Sequence, residues 1–211
     1  MELSKQKNYQ QSFDLACASL RGADLKERAE KSGGVYQKGP EEEKILISFF
    51  SEPCAIRFPQ GDFSSPGKST VSLVVRTLLL HHLLRADGIP LTGKWVAYKD
   101  IPGCLLYAGV FARRVTEPLI RRFGRSAKLL QEAGKRLGGE KASAGDASFI
   151  LHALPRIPLH YVLWEGDEEF PPSSQLLFDS SVDHYLPLED ITVLGQITSG
   201  RLIAILNRLA V

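Results

Sequence analysis

The sequence predicts an α+β fold, in which a single domain packs a small, mainly antiparallel sheet against several helices. Its length of 211 residues is typical of one domain. Hydrophobic residues make up 44% of the chain and charged residues 24%, so a sizeable core can form. The predicted order is helix, strands, helices, strands, helix, which lacks the alternation of a doubly wound parallel sheet. We expect an N-terminal helical segment, residues 1–35, and one α+β domain, residues 36–211.

The first half of the chain is predicted to contain two helices. Residues 1–31 form the first, because apolar side chains recur on roughly one face, and Ser32-Gly33-Gly34 ends it. Ser69 or Thr70 can cap the second, which runs to about Arg85. The sequence Gly67-Lys68-Ser69-Thr70 matches the end of the phosphate-binding loop motif. The motif also requires a glycine five residues before Gly67, where this chain has Asp62, so we reject a nucleotide site.

Two strands are predicted between these helices. The apolar runs Lys44–Phe50 and Cys54–Phe58 are typical of strands, and Glu52-Pro53 between them predicts a turn. Residues 60–67 are rich in Gly, Ser and Pro and predict a loop.

The second half is predicted to begin with helices and to end with strands and a last helix. Cys104–Leu137 is mostly helical, after a short strand at Trp95–Tyr98. A final helix opens at Pro187, runs to Leu209 and could break at Gly195 or Gly200. Three further strands are predicted, at Ala147–Leu154, Leu159–Trp164 and Gln175–Phe178.

The net charge of +2 results from two segments of opposite charge. Between residues 111 and 141 lie nine basic and three acidic residues, whereas residues 157–200 contain eight acidic residues and no Lys or Arg. The basic segment has few aromatic side chains for stacking bases, so nucleic-acid binding is not expected. We ask instead whether the two segments neutralise each other in the fold.

The cysteines and the apolar runs predict a cytoplasmic protein without a membrane segment. Cys17, Cys54 and Cys104 are too far apart in sequence for an iron–sulfur or zinc half-site. Their odd number favours a reducing compartment. The polar N-terminus does not have the pattern of a signal peptide, and no apolar run is long enough to span a bilayer.

Two pairs of histidines are candidates for chemistry. His81 and His82 are adjacent on a helix and point about 100° apart, so they cannot chelate one metal together. A single imidazole there is either a neutral core residue or an axial ligand to a tetrapyrrole metal. His152 and His160 lie on neighbouring predicted strands, where they could meet across the hairpin.

The densest cluster of carboxylates follows a predicted strand. Asp167, Glu168 and Glu169 could bind a hard cation or act as acid and base. The alternative is a solvated acidic turn, anchored by Trp164 and Phe170 or paired with the basic helices.

Three stretches resemble the domain of unknown function 3786 family. They read LHHLLRADGIPLTGKW at residues 80–95, VLWEGDEEFPP at residues 162–172, and LFD followed by YLP at residues 177–179 and 185–187. The resemblance spans about residues 40–195. It implies an anaerobic bacterial or archaeal source, in which some members are fused to a four-cysteine iron–sulfur domain like that of corrinoid proteins. This chain lacks that cysteine cluster.

The resemblance implies a cytoplasmic protein that binds or handles a cofactor of anaerobic metabolism, such as a corrinoid or haem, with no catalysis assigned. An apolar pocket, an axial histidine and polar groups would hold such a cofactor. The candidate residues are His81, Trp95, Arg113, Arg114, Trp164 and His184. Two alternatives stay open. One is a hydrolase or transferase with a metal at Asp167, Glu168 and Glu169, and the other is a module that binds a partner protein.

Overall fold

The computed structural model describes residues 2–66 and 70–209, which divide into two compact units. The first contains Met1–Pro90, with the short returns Leu154–Arg156 and His184–Pro187. The second contains Leu91–Ala153, Ile157–Asp183 and Leu188–Val211. The α+β class is confirmed. The described strands form two antiparallel sheets, of four and five strands, where the sequence predicted one. The expected division at residue 35 stays a prediction.

The first unit begins with two helices where the sequence predicted one. Helix α1 is Glu2–Arg21 and helix α2 is Leu25–Ser32. The break follows Gly22, and the carboxylate of Asp24 accepts a hydrogen bond from the backbone N–H of Glu27, which caps α2. The predicted end is confirmed, because Gly33 closes α2 at φ 79°, a conformation that favours glycine.

The first sheet has the order β1-β2-β3-β4. Its strands are Val35–Lys38, Glu43–Phe49, Glu52–Phe58 and Asp62–Ser64. The predicted turn at Glu52-Pro53 is wrong, because both residues belong to β3 and Pro53 pairs with Ser48. The chain turns at Phe50 and Ser51, which adopt φ values of 54° and 62° without a glycine.

Helix α3, Leu73–Arg85, completes the first unit. Its cap is Ser72, whose hydroxyl accepts a hydrogen bond from the backbone N–H of Val75. The cap predicted at Ser69, like most of the rejected nucleotide motif, lies outside the described residues, and Thr70 lies before the cap.

The second unit places its helices in two groups along the chain. The segment predicted as one helical stretch consists of a 3₁₀ turn at Leu105–Tyr107, α4 at Ala108–Phe111, a π-helical turn at Ala112–Thr116, α5 at Glu117–Phe123 and α6 at Ala127–Arg136. The final helix, α7, runs from Leu188 to Leu209 without a break at either glycine.

The second sheet has the order β5-β9-β8-β7-β6. In chain order its strands are Trp95–Ala97, Glu140–Lys141, Ala147–Leu154, Ile157–Trp164 and Ser173–Asp179. One face carries Phe149, Tyr161 and Phe178, which are fully buried. Helix α6 approaches this face closely, since a Cβ on Gly134 would lie 2.5 Å from the ring of Phe149. This inner face is the core of the second unit.

Candidate functional site

The outer face of the second sheet carries the candidate site. His160 on β8 pairs with Leu177 on β9, which pairs with Ala97 on β5. Residues directly opposite each other in a ladder point to the same side of the sheet. Because side chains alternate along a strand, Trp95 lies on this side with Ala97, and Trp164 lies on it with His160. Both tryptophans that the sequence singled out therefore share a sheet face with a histidine.

His160 has one ring nitrogen that is bonded and one that is not. Its Nε2 atom lies 2.7 Å from the Oγ atom of Ser148, on the neighbouring strand β7. Its Nδ1 atom is shielded from solvent and has no hydrogen-bond partner among the described residues. The ring of Trp95 stands edge-on to the imidazole, with 5.0 Å between the ring centres. An unpartnered buried nitrogen is unfavourable unless another group satisfies it.

Burial lowers the pKa of the His160 imidazole, so the ring is neutral at neutral pH. A neutral imidazole can coordinate a metal ion or accept a hydrogen bond through a free nitrogen. Nucleophilic catalysis by the Ser148–His160 pair is not favoured, because Ser148 is only 2% exposed. No described carboxylate bonds Nδ1 to orient the ring as in a catalytic triad. The arrangement is suited to ligation.

His152 does not meet His160 across the hairpin as the sequence had suggested. His152 is exposed on β7, and His160 bonds Ser148 instead. Sequence reasoning named His160 but did not place it in the cofactor site, because the strand register that brings it beside Trp95 cannot be read from periodicity.

The histidines that the sequence favoured as ligands lie in the first unit. His81, on α3, is partly exposed, and its Nε2 atom lies 3.1 Å from the hydroxyl of Ser12. His184 is exposed, and its Nδ1 atom lies 2.6 Å from a carboxylate oxygen of Asp87. Each of these imidazoles already has a side-chain partner.

The second histidine of the adjacent pair, His82, is fully buried in the first unit. Its Nδ1 atom lies 3.2 Å from the carbonyl oxygen of Tyr185, and its Nε2 atom lies 3.1 Å from that of Ser32. The prediction that one histidine of the pair belongs to the core is thus confirmed for His82.

Arg113 and Arg114 lie in the π-helical turn of the second unit, and both are exposed. Neither forms an ion pair within the described part of the chain. Their predicted role toward a cofactor stays a prediction.

The predicted metal-binding acids form a tight turn. One oxygen of the Asp167 carboxylate accepts hydrogen bonds from the backbone N–H groups of Glu169, at 2.9 Å, and Phe170, at 2.7 Å. These bonds lower the pKa of Asp167. Glu168 and Glu169 are exposed. In residues 2–66 and 70–209, no group of three or more His, Cys, Asp or Glu side chains is placed to hold a metal ion.

The acidic segment meets the basic helices through Glu165. Its carboxylate accepts a hydrogen bond from the backbone N–H of Ala127, the first residue of α6. Its own backbone N–H donates to Asp146, at 2.7 Å. A carboxylate at the N-terminus of a helix is stabilised by the helix dipole. The two segments are therefore in contact through a helix cap, and Asp167, Glu168 and Glu169 are not part of it.

A buried carboxylate that sequence reasoning did not weigh, Asp179, fastens the loop before β5. It is 4% exposed at the end of β9. Its Oδ1 atom accepts hydrogen bonds from the backbone N–H and the hydroxyl of Thr92 and of Ser181, and its Oδ2 atom accepts from the N–H of Gly93 at 2.7 Å. In the sequence, Thr92-Gly93 and an aspartate at the end of a predicted strand were the only indications of this contact. Because Trp95 follows this loop directly, Asp179 positions Trp95.

A family model, Domain of unknown function (DUF3786), matches residues 24–201 of the chain. The chain belongs to the domain of unknown function 3786 family. The match begins at the capping residue of α2 and includes both sheets, so the whole outer face lies within the DUF3786 region. No curated protein and no solved structure matches the chain.

Two further observations apply to this DUF3786 chain. None of the helices in the described residues is both long and apolar enough to cross a membrane. Its cysteines, Cys17, Cys54 and Cys104, are free and buried, and burial raises the thiol pKa of Cys17 and Cys104.

Proposed function

We propose that this chain is a cytoplasmic protein that binds or handles a cofactor of anaerobic metabolism, and that a tetrapyrrole, either a corrinoid or a haem, binds at the outer face of its second sheet. The buried Nδ1 atom of His160, which has no partner among the described residues, carries the proposal. It replaces His81 as the axial ligand that we expect, because His160 shares a sheet face with Trp95 and Trp164, whereas His81 lies on α3 of the first unit.

The residues present fit such a group. A neutral imidazole is the usual nitrogen ligand of a haem or corrinoid metal. The bond between Nε2 and Ser148 would fix the orientation of the ring, as outer partners of ligating histidines do. Trp95, beside the imidazole, and the partly exposed Leu177 offer apolar surface to a flat ring. The bound metal would supply redox or group-transfer chemistry, while the chain would hold and orient the cofactor.

The proposal predicts that His160 controls tetrapyrrole binding. Titration of the purified protein with haem, and separately with aquocobalamin, should shift the absorbance bands of at least one of them. His160→Gln should weaken that binding at least about tenfold, which corresponds to about 1.4 kcal/mol.

His152→Gln is the matched control, because it makes the same change at an exposed histidine on the neighbouring strand. It should leave the titration unchanged, and melting curves should show that both variants fold. No spectral shift with either probe, or wild-type binding by the His160 variant, would argue against the site.

A metal-dependent hydrolase or transferase that uses Asp167, Glu168 and Glu169 has less support. The Oδ1 atom of Asp167 is taken by its own turn, and Glu165 caps a helix. A protein-interaction role has support from exposed apolar and charged side chains of the second unit.

A further inference from the structure

One turn of the second unit exposes three large apolar side chains in succession. In the 3₁₀ turn Leu105–Tyr107, Leu105 is 67% exposed, Leu106 is 91% exposed and Tyr107 is 60% exposed. Single exposed apolar residues are common on soluble proteins, but adjacent ones mark contact surfaces. All three side chains of the turn are exposed, whereas Cys104 before the turn and Phe111 after it are buried.

Unpaired positive charge follows this apolar turn. Phe111, Val115 and Leu119 recur every four residues and are buried, so they define the inner side of the helical segment. Arg113 and Arg114 point away from that side, are exposed and form no ion pair within the described residues. Only five residues separate Tyr107 from Arg113 in the sequence. We name Leu105, Leu106, Tyr107, Arg113 and Arg114 the basic patch.

A second surface of the same unit has the opposite charge and a similar apolar part. The Asp167 turn holds Glu168 and Glu169 outward, and Phe170 next to them is 66% exposed. Neither glutamate forms an ion pair with a described residue. We name Glu168, Glu169 and Phe170 the acidic patch. The two backbone hydrogen bonds to Asp167 fix the conformation of the acidic patch before binding, which reduces the conformational entropy lost on binding.

We infer that the basic patch of one copy of this chain binds the acidic patch of a second copy. Both patches belong to one compact unit, in which no hydrogen bond or ion pair between described residues joins them. Within the described residues of the folded unit, the charges of the two patches are therefore not paired with each other. Each patch supplies apolar surface and two charges, which are positive in the basic patch and negative in the acidic patch. Such complementarity selects partners and sets the register of an interface.

Sedimentation velocity measures the inference on the full chain. The wild type should associate with increasing concentration between about 1 µM and about 1 mM. The association should be stronger at about 0.02 M salt than at about 0.5 M salt, because salt screens exposed charges. A wild type that stays monomeric over this range at low salt would overturn the inference.

Charge exchange identifies the patches. Arg113→Glu with Arg114→Glu should weaken association at least tenfold, and so should Glu168→Lys with Glu169→Lys. Mixing the two double variants should restore it, because each then offers the other a pair of opposite sign. Two double variants that associate like the wild type, or a mixture that stays dissociated, would contradict the contact.

Two further variants separate this contact from general charge effects. Leu106→Ser should weaken association without changing the charge. Lys128→Glu with Lys135→Glu alters two exposed basic residues of α6 outside the basic patch and should leave association unchanged. If that pair disrupts association as strongly as the Arg113 and Arg114 pair, net charge would be the cause and the inference would be wrong.

Discussion

Replacing His82 with leucine is expected to remove most of the loss of stability that this protein suffers between pH 6.5 and pH 4. The imidazole lies between two backbone carbonyl groups, those of Ser32 and Tyr185, with no exposed surface. Burial lowers its pKa from 6.5 to about 4, against the opposing effect of these two hydrogen bonds.

The sign of the effect follows from which state takes up the proton. Above pH 6.5 the imidazole is neutral in the folded and the unfolded chain, so the stability is complete. Between pH 6.5 and about 4 only the unfolded chain binds a proton, and the free energy of unfolding falls by about 3 kcal/mol in total. His160, whose pKa burial also lowers, accounts for part of any remaining slope.

Urea unfolding at a series of pH values measures this effect. His82→Leu should unfold at lower urea than the wild type at pH 7, because a buried carbonyl group loses the one N–H donor of the neutral imidazole, at about 1–3 kcal/mol. Its stability should then change little down to pH 4. His152→Leu, at an exposed position, should keep the wild-type slope. A wild-type slope in the His82 variant would show that this imidazole is already protonated in the fold.

Asp179→Asn is expected to destabilise the second unit by about 3–5 kcal/mol. Five N–H and O–H groups, from Thr92, Gly93 and Ser181, converge on the carboxylate. An amide keeps one acceptor oxygen but directs its NH2 group at another N–H, that of Gly93 if the oxygen stays at Oδ1, and the remaining hydrogen bonds lose the negative charge that strengthens them. Burial acts to raise the pKa of Asp179, but the hydrogen bonds from Ser181 and Thr92 outweigh it and hold the pKa below 3.8. Its contribution is therefore complete above pH 3.8 and is lost only at lower pH.

The matched control is Asp167→Asn, the same change at an exposed carboxylate that accepts two backbone hydrogen bonds. It should lower stability by no more than about 1 kcal/mol. Thermal unfolding of both variants at pH 7 gives the comparison. In a Trp164→Phe background, the remaining fluorescence of Trp95 reports the loop that Asp179 fastens. Equal losses in the two variants would mean that the Asp179 network contributes no more than an exposed turn.

Much of the fold could be predicted because its signals are local. The strands near Lys44–Phe50 and Ala147–Leu154 and the last helix follow from runs of apolar residues with strand or helix periodicity. The break before Asp24 also had a local signal, because Asp24 and Glu27 have the spacing of a helix cap. The helical periodicity continues on both sides of it, so the sequence predicted one helix. Strands β1, β4 and β6 are short, and they form because a neighbouring strand pairs with them.

The candidate site was predictable only in part. The sequence singled out Trp95 and Trp164, and the structure places both on one sheet face. The sequence analysis favoured His81 over His160 because His81 lies on an apolar helix, where a histidine resembles an axial ligand. The side chains that contact each histidine are distant in sequence and could not be predicted. Ser12 engages His81 across 69 positions, and Trp95 stands beside His160 across more than 60.

The sequence by itself determined the α+β class, the family and the opposed charges of two segments. These properties depend on composition, on periodicity and on motifs of neighbouring residues. Only the tertiary structure decided that His82 is buried and His81 is not, that the strands divide into two sheets, and that Glu165 joins the acidic segment to a basic helix. Each of these depends on which distant residues come into contact, and pairing and burial free energies set such contacts without leaving a local pattern.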